Sequence, residues 1–86
     1  PLFRKLSLDL GGKNASIVFA DADLDAAVAE CVRAAFANQG QICLCGSRVL
    51  VERSLYRRFL DAFVEQARAI VPGDPADPAT RFGALV

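Results

Sequence analysis

The sequence predicts an α/β fold: a βαβα unit with its two strands parallel and a right-handed crossover, forming part of a larger sheet. Three observations carry this expectation. Two short runs rich in β-branched residues, Ala15-Ser-Ile-Val-Phe19 and Arg48-Val-Leu-Val-Glu52, each precede a stretch with apolar residues at helical spacing. The links between these stretches are short. Finally, 53% of the 86 residues are hydrophobic, a high share for a chain whose size lets it bury only about 60 to 65% of its surface on folding. Parallel sheets are covered on both faces and extended by neighbouring strands. Two strands alone would leave faces and edges bare, so the unit is expected to be incomplete and its isolated core marginal.

In chain order, Leu6-Ser-Leu-Asp-Leu10 alternates apolar and polar residues and reads as a short strand ending at Gly11-Gly12. That puts Asp9 at a strand's C-terminal end, where open α/β sheets bind ligands. Gly11-Gly12-Lys13 has neither the spacing nor the following Ser or Thr of a phosphate loop. Ala15 to Phe19 reads as a buried strand. Asp21-Ala-Asp-Leu-Asp25 then caps a helix, since no Gly and Glu follow at calcium-loop spacing. Leu24, Ala27, Val28, Cys31, Val32, Ala35 and Phe36 form the buried stripe of that helix, from about Asp23 to Asn38, and Cys31 belongs to the core.

After the second strand, Ser54 is the expected cap of a second helix. Leu55, Tyr56, Phe59, Leu60, Phe63, Val64, Ala67 and Ile70 make its apolar face, and Arg57, Arg58, Asp61, Glu65 and Arg68 its wet face. Pro72-Gly73 ends it. Asp74-Pro-Ala-Asp-Pro78 reads as a rigid surface loop, and Phe82 to Val86 as a tail packing on something outside this chain.

Ten basic and ten acidic side chains give zero net charge without a basic cluster, which argues against nucleic acid or an anionic membrane as partner. No apolar run approaches the roughly 18 residues of a membrane span. With three cysteines and no histidine, there is no zinc-finger spacing, no metal site and no cysteine–histidine hydrolase pair within the chain. Reduced thiols in a cytoplasmic compartment are the default expectation.

The chemistry gathers at Phe36-Ala-Asn-Gln-Gly-Gln-Ile-Cys-Leu-Cys-Gly-Ser-Arg48, which joins the first helix to the second strand. Cys43, held between glycines at such a junction, is a candidate nucleophile, and Asp9 is the candidate carboxylate. The plainer reading of Cys43 and Cys45 is as small buried hydrophobes. Cys43 follows a helix C-terminus, where the dipole disfavours a thiolate. Activation would therefore come from Lys13, Arg48, backbone N–H groups or a bound cationic cofactor. A thiol-redox module using Cys43 and Cys45 is a further reading, because alternate side chains of an extended chain point the same way.

Leu8-Asp-Leu-Gly-Gly-Lys-Asn14, Asp21 to Asp25, Phe36 to Cys45 and Phe82-Gly-Ala-Leu85 together resemble, in that order, the NAD(P)-dependent aldehyde dehydrogenases. Within that family, Phe36 to Cys45 and the Leu6-Ser-Leu lead-in look most like the 2-aminomuconic and 2-hydroxymuconic semialdehyde dehydrogenases. The resemblance implies that residues 1–11 end a coenzyme-binding domain and 12–86 begin a catalytic domain of a homo-oligomeric parent. It also implies a covalent mechanism. The Cys43 thiolate would attack a small aldehyde, with the Cys43 N–H holding the oxyanion and NAD or NADP accepting hydride. The carboxylate at position 9 would activate the water that hydrolyses the thioester, and Leu10 and Gly11 would lie near the nicotinamide. The family's oxyanion asparagine lies upstream, so neither Asn14 nor Asn38 takes its role. Position 9 departs from the pattern, being aspartate where the family has glutamate, which shortens the carboxylate's reach by roughly 1.3 to 1.5 Å. A non-catalytic α/β fragment or degenerate homologue is the competing reading.

Overall fold

The structure, a computed structural model, describes residues 3–86. Residues 1 and 2 of the expected coenzyme-domain end lie outside the described residues. Its elements are β1 (Ala15–Val18), α1 (Leu24–Phe36), a 3-10 turn (Ala37–Gly40), β2 (Arg48–Val51) and α2 (Tyr56–Arg68). The strands pair in parallel with Ala15 opposite Arg48 and Val18 opposite Val51, so the expected βαβα unit is present.

The side-chain alternation of the strands decides where the core lies. Val18, with Val49 and Val51, faces the helices and packs on Val28, Cys31, Leu55 and Phe59. Phe59 and Phe63 stack at 5.8 Å between ring centroids, and Phe63 meets Phe36 of α1 at 6.1 Å, so aromatic rings join the two helices. The opposite face of the sheet carries Ile17, Phe19 and Leu50, all more than half exposed. The expectation of a buried β1 therefore holds for one face only. The Cα radius of gyration is 16.5 Å, against about 12 Å for a compact domain of this length. One principal extent is only 17 Å, the thickness of a sheet with helices on one side.

Four expectations change. Residues 6–10 are not a strand: Leu6, Leu8 and Leu10 are 75, 70 and 80% exposed, and no described residue pairs with them. Apolar alternation suits a strand, but a ladder needs a partner backbone to accept its hydrogen bonds. Ser54 does not cap α2. The chain enters that helix through a turn in which Leu55 N donates to Glu52 O and Tyr56 N to Arg53 O, with no side-chain cap. Tyr56 lies at the exposed edge of α2, and Ala62 takes a place on the packed face instead. The tail is partly used within this chain: Phe82 forms a parallel bridge with Pro72, and Gly73 N donates to Phe82 O at 2.8 Å.

Asp23 is the N-cap of α1, its Oδ1 accepting from Ala26 N at 3.0 Å as the sequence suggests. Helix α2 stops at Arg68, earlier than Pro72 requires, and tightens through Ala69 N to Gln66 O and Ile70 N to Ala67 O. In the surface loop, Asp74 and Asp77 each accept from the backbone N–H two positions on, at 2.9 Å.

Candidate active-site cysteine

The chain leaves α1 through a left-handed turn. Asn38, Gln39 and Gly40 have φ of 51, 59 and 73°, a conformation that costs non-glycine residues about 1 to 2 kcal/mol each. At Gly40 a Cβ would also stand 3.1 Å from Ala35 O. Asparagine tolerates the left-handed region and glycine favours it, but Gln39 has no such excuse. Its amide is held instead: turned so that the oxygen accepts from Gly83 N at 2.8 Å, its nitrogen donates to Asn38 O at 3.0 Å. The tail thus bolts the turn that precedes the cysteine.

Beyond the left-handed turn, Ile42 to Cys45 forms a β-turn closed by Cys45 N to Ile42 O at 3.0 Å. Cys43 is exposed, while Cys45 and Cys31 are buried, and all three are free thiols. Cys45 Sγ lies 4.0 Å from Ala37 O, and Ser47 N donates to Cys45 O at 2.9 Å. The thiol-redox reading assumed an extended chain here. The structure has a turn instead, with one thiol outside and the other inside. Gly46 is wedged between β1 and α1: its N donates to Ala34 O at 3.0 Å, and a Cβ there would stand 2.7 Å from Ser16 Oγ and 3.3 Å from Ala34 Cβ. Both Gly46 N–H and the Cys45 thiol therefore meet carbonyls at the end of α1, countering the negative pole that the sequence places before Cys43.

Asp9, Leu10 and Gly11 are all exposed, and among the described residues no hydrogen bond or ion pair joins Asp9 to Cys43. The two are linked through Lys13 and Asn14. Asn14 Nδ2 donates to Cys43 O at 2.7 Å, and Arg48 donates through Nε and Nη2 to Lys13 O at 3.0 and 2.6 Å. Arg48 therefore braces the backbone, a use that the sequence reading, which offered it as an activator of the thiol, did not foresee. The cysteine turn sits at the N-terminal edge of β2, so the strand-end rule that singled out Asp9 does not describe this site. Buried Cys31 is a different kind of thiol: burial pushes its pKa above the ordinary 9.0, a hydrogen bond with Ser16 opposes the shift, and the Glu30 charge adds to it.

Residues 2–86 match the aldehyde dehydrogenase family, and the chain belongs to that family. It is 54% identical over 86 residues to the 2-aminomuconic semialdehyde dehydrogenase of Danio rerio, covering 100% of this chain and 18% of that protein. Against the 2-hydroxymuconic semialdehyde dehydrogenase of Pseudomonas putida it is 49% identical over 83 residues, covering 96% of this chain and 17% of that protein. An indole-3-acetaldehyde dehydrogenase solved with NAD+ matches the fold at a TM-score of 0.83 and 53% identity, covering 87% of this chain and 15% of that one. The chain thus spans less than a fifth of the length of the relatives it matches. No helix among the described residues is long and apolar enough to cross a membrane, and no group of His, Cys, Asp and Glu there could hold a metal ion.

Proposed function

We propose that this chain carries the nucleophile of a full-length NAD(P)-dependent aldehyde dehydrogenase that oxidises a small aldehyde to a carboxylic acid, with a muconic-type semialdehyde as the favoured substrate. The observation that carries the reading is the presentation of Cys43: of three free thiols it alone is exposed, on a turn held by hydrogen bonds on both sides. Family membership supports the chemistry, and the identity to the two semialdehyde dehydrogenases supports the substrate class.

Cys43 Sγ, as thiolate, adds to the aldehyde carbon. A C–S bond forms and the carbonyl electron pair moves onto oxygen, where the Cys43 N–H stabilises it. NAD(P), when bound, supplies the hydride acceptor. As the oxyanion's electron pair re-forms the C=O bond, the carbon's hydrogen leaves as hydride to that acceptor, and the acyl group is held on Sγ as a thioester. Asp9 takes a proton from water, whose oxygen attacks the acyl carbon and displaces the Cys43 thiolate. The segment at Leu10 and Gly11 fits the nicotinamide end of the coenzyme, because it is exposed and nothing lies within 4 Å of where a Gly11 or Gly12 Cβ would stand. A flat ring can approach such a backbone closely. On this reading residues 1–11 close the coenzyme domain and 12–86 open the catalytic one. The full-length protein works as a homo-oligomer in the cytoplasm, where free thiols persist.

The test uses the full-length protein. NAD(P)H is expected to form when an aldehyde is supplied, fastest with a muconic-type semialdehyde, and Cys43→Ala is expected to abolish both that signal and covalent labelling at the site. Undiminished turnover in Cys43→Ala would sink the proposal.

A further inference from the structure

We propose that Asn14 is a positioning residue for Cys43, fixing the direction of its thiol and of its N–H; the inference rests on the functional reading above. The carbonyls of the cysteine turn differ in where their partners come from. Those of Gln41, Ile42 and Cys45 are bound locally, by Asn38 Nδ2 at 3.4 Å, Cys45 N at 3.0 Å and Ser47 N at 2.9 Å. The Cys43 carbonyl is bound by Asn14 Nδ2 at 2.7 Å, from 29 positions away.

Peptide planarity makes this bond consequential. The Ile42 carbonyl and the Cys43 N–H share one plane, which the bond from Cys45 N holds. The Cys43 carbonyl lies in the next plane, which Asn14 holds. With both planes flanking its Cα pinned, Cys43 keeps only its side-chain torsion, and the line from thiol to oxyanion donor is set.

Asn14 is itself delivered rigidly. Its carbonyl accepts from Arg48 N at 3.1 Å, directly below the first residue pair of the sheet, and the preceding Lys13 carbonyl takes two bonds from the Arg48 guanidinium. The sheet register therefore carries through Asn14 into the orientation of Cys43. Removing the amide frees one peptide plane while leaving the core of Val28, Leu55 and Phe59 untouched.

The test compares Asn14→Asp, Asn14→Ala and Asn14→Gln in the full-length protein. Asn14→Asp keeps the size but sets an oxygen against the Cys43 carbonyl, whereas Asn14→Gln keeps the donor. First-turnover NADH formation, normalised to titrated Cys43 thiols, is expected to fall about tenfold or more in Asn14→Asp and Asn14→Ala. The titratable count and the KM for NAD+ should stay near wild type, and Asn14→Gln should recover part of the rate. If the thiol count falls while each remaining site turns over at the wild-type rate, Asn14 only supports the fold and the inference is overturned. Alkylation of Cys43 by iodoacetamide gives a readout that needs no aldehyde activity. Its rate constant should change in Asn14→Asp even if the wild-type protein oxidised no aldehyde, which would refute the functional reading alone. An unaltered alkylation rate constant in Asn14→Asp overturns the positioning role.

Discussion

Asp9 and Cys43 stand in two regions held in opposite ways. The cysteine turn has the carbonyls of Gln41, Ile42, Cys43 and Cys45 bound, a bolted left-handed entry and a glycine wedged between strand and helix. Residues 3–12 have neither sheet partner nor packed side chain, and their leucines face solvent. The two look alike as sequence motifs, but their hydrogen bonds set them apart. The turn around Cys43 is held by this chain's own contacts. The segment around Asp9 takes no defined position from them, and Lys13-Asn14 is where the two regions join.

The largest effect that would sharpen this contrast concerns Asp9 in the full-length protein. Asp9→Ala is expected to leave first-turnover NADH formation in place and to slow steady-state turnover by about 100-fold or more, the usual scale for losing a general base. Asp9→Glu, which restores the missing methylene, is expected to raise the steady state. If deacylation in Asp9→Ala is unchanged when hydrolysis limits, the base lies elsewhere. A smaller effect compares glycines from the two regions. Gly46→Ala is expected to cost about 1 to 3 kcal/mol by overpacking, because the Ser16 hydroxyl can rotate away but Ala34 on the helix cannot. Gly11→Ala should move the urea midpoint hardly at all, since its surroundings are open. Equal shifts would mean that the N-terminal segment is as tightly packed as the cysteine turn.

The smallest effect is a pH dependence seated in Cys31. Its folded pKa is raised, so the contribution of its buried neutral thiol is fully present below the unfolded value of 9.0. That contribution is lost as pH climbs above 9.0 through the folded pKa, because the unfolded thiol ionises first. Cys31→Ala should flatten the alkaline limb of a stability–pH curve. An identical limb in both proteins would mean that another group is responsible.

The two helices and their parallel strands were legible because Val28, Cys31, Leu55 and Phe59 fall at helical spacing and each strand is a compact run rich in β-branched residues. The capping role of Asp23 was legible for the same local reason. What escaped depends on partners remote in sequence. Residues 6–10 carry a strand's alternation without a strand to pair with. Tyr56 is exposed and Ala62 covered because the packing of the neighbouring elements, not hydrophobicity alone, decides which residue is buried. At the site, Cys43 stood out from its flanking glycines, but the roles of Asn14, Gln39 and Arg48 did not. Each acts through a backbone atom, and an amide or guanidinium bound to a distant carbonyl leaves no pattern in its own neighbourhood. The one available hint was a polar residue, Asn14, directly ahead of a β-branched run.

The bond from Asn14 to Cys43 also sets an order of events during folding. Its ends are 29 positions apart, and those of the Arg48 brace on Lys13 are 35 apart. Loop closure over such distances has an entropic cost that local structure avoids, so α1, capped by Asp23, can form before either bond exists. On the ribosome, Asn14 emerges well before its acceptor, and the brace cannot close until Arg48 has followed. Until then Cys43 is an ordinary flexible thiol, and its orientation arrives only when the two strands come into register.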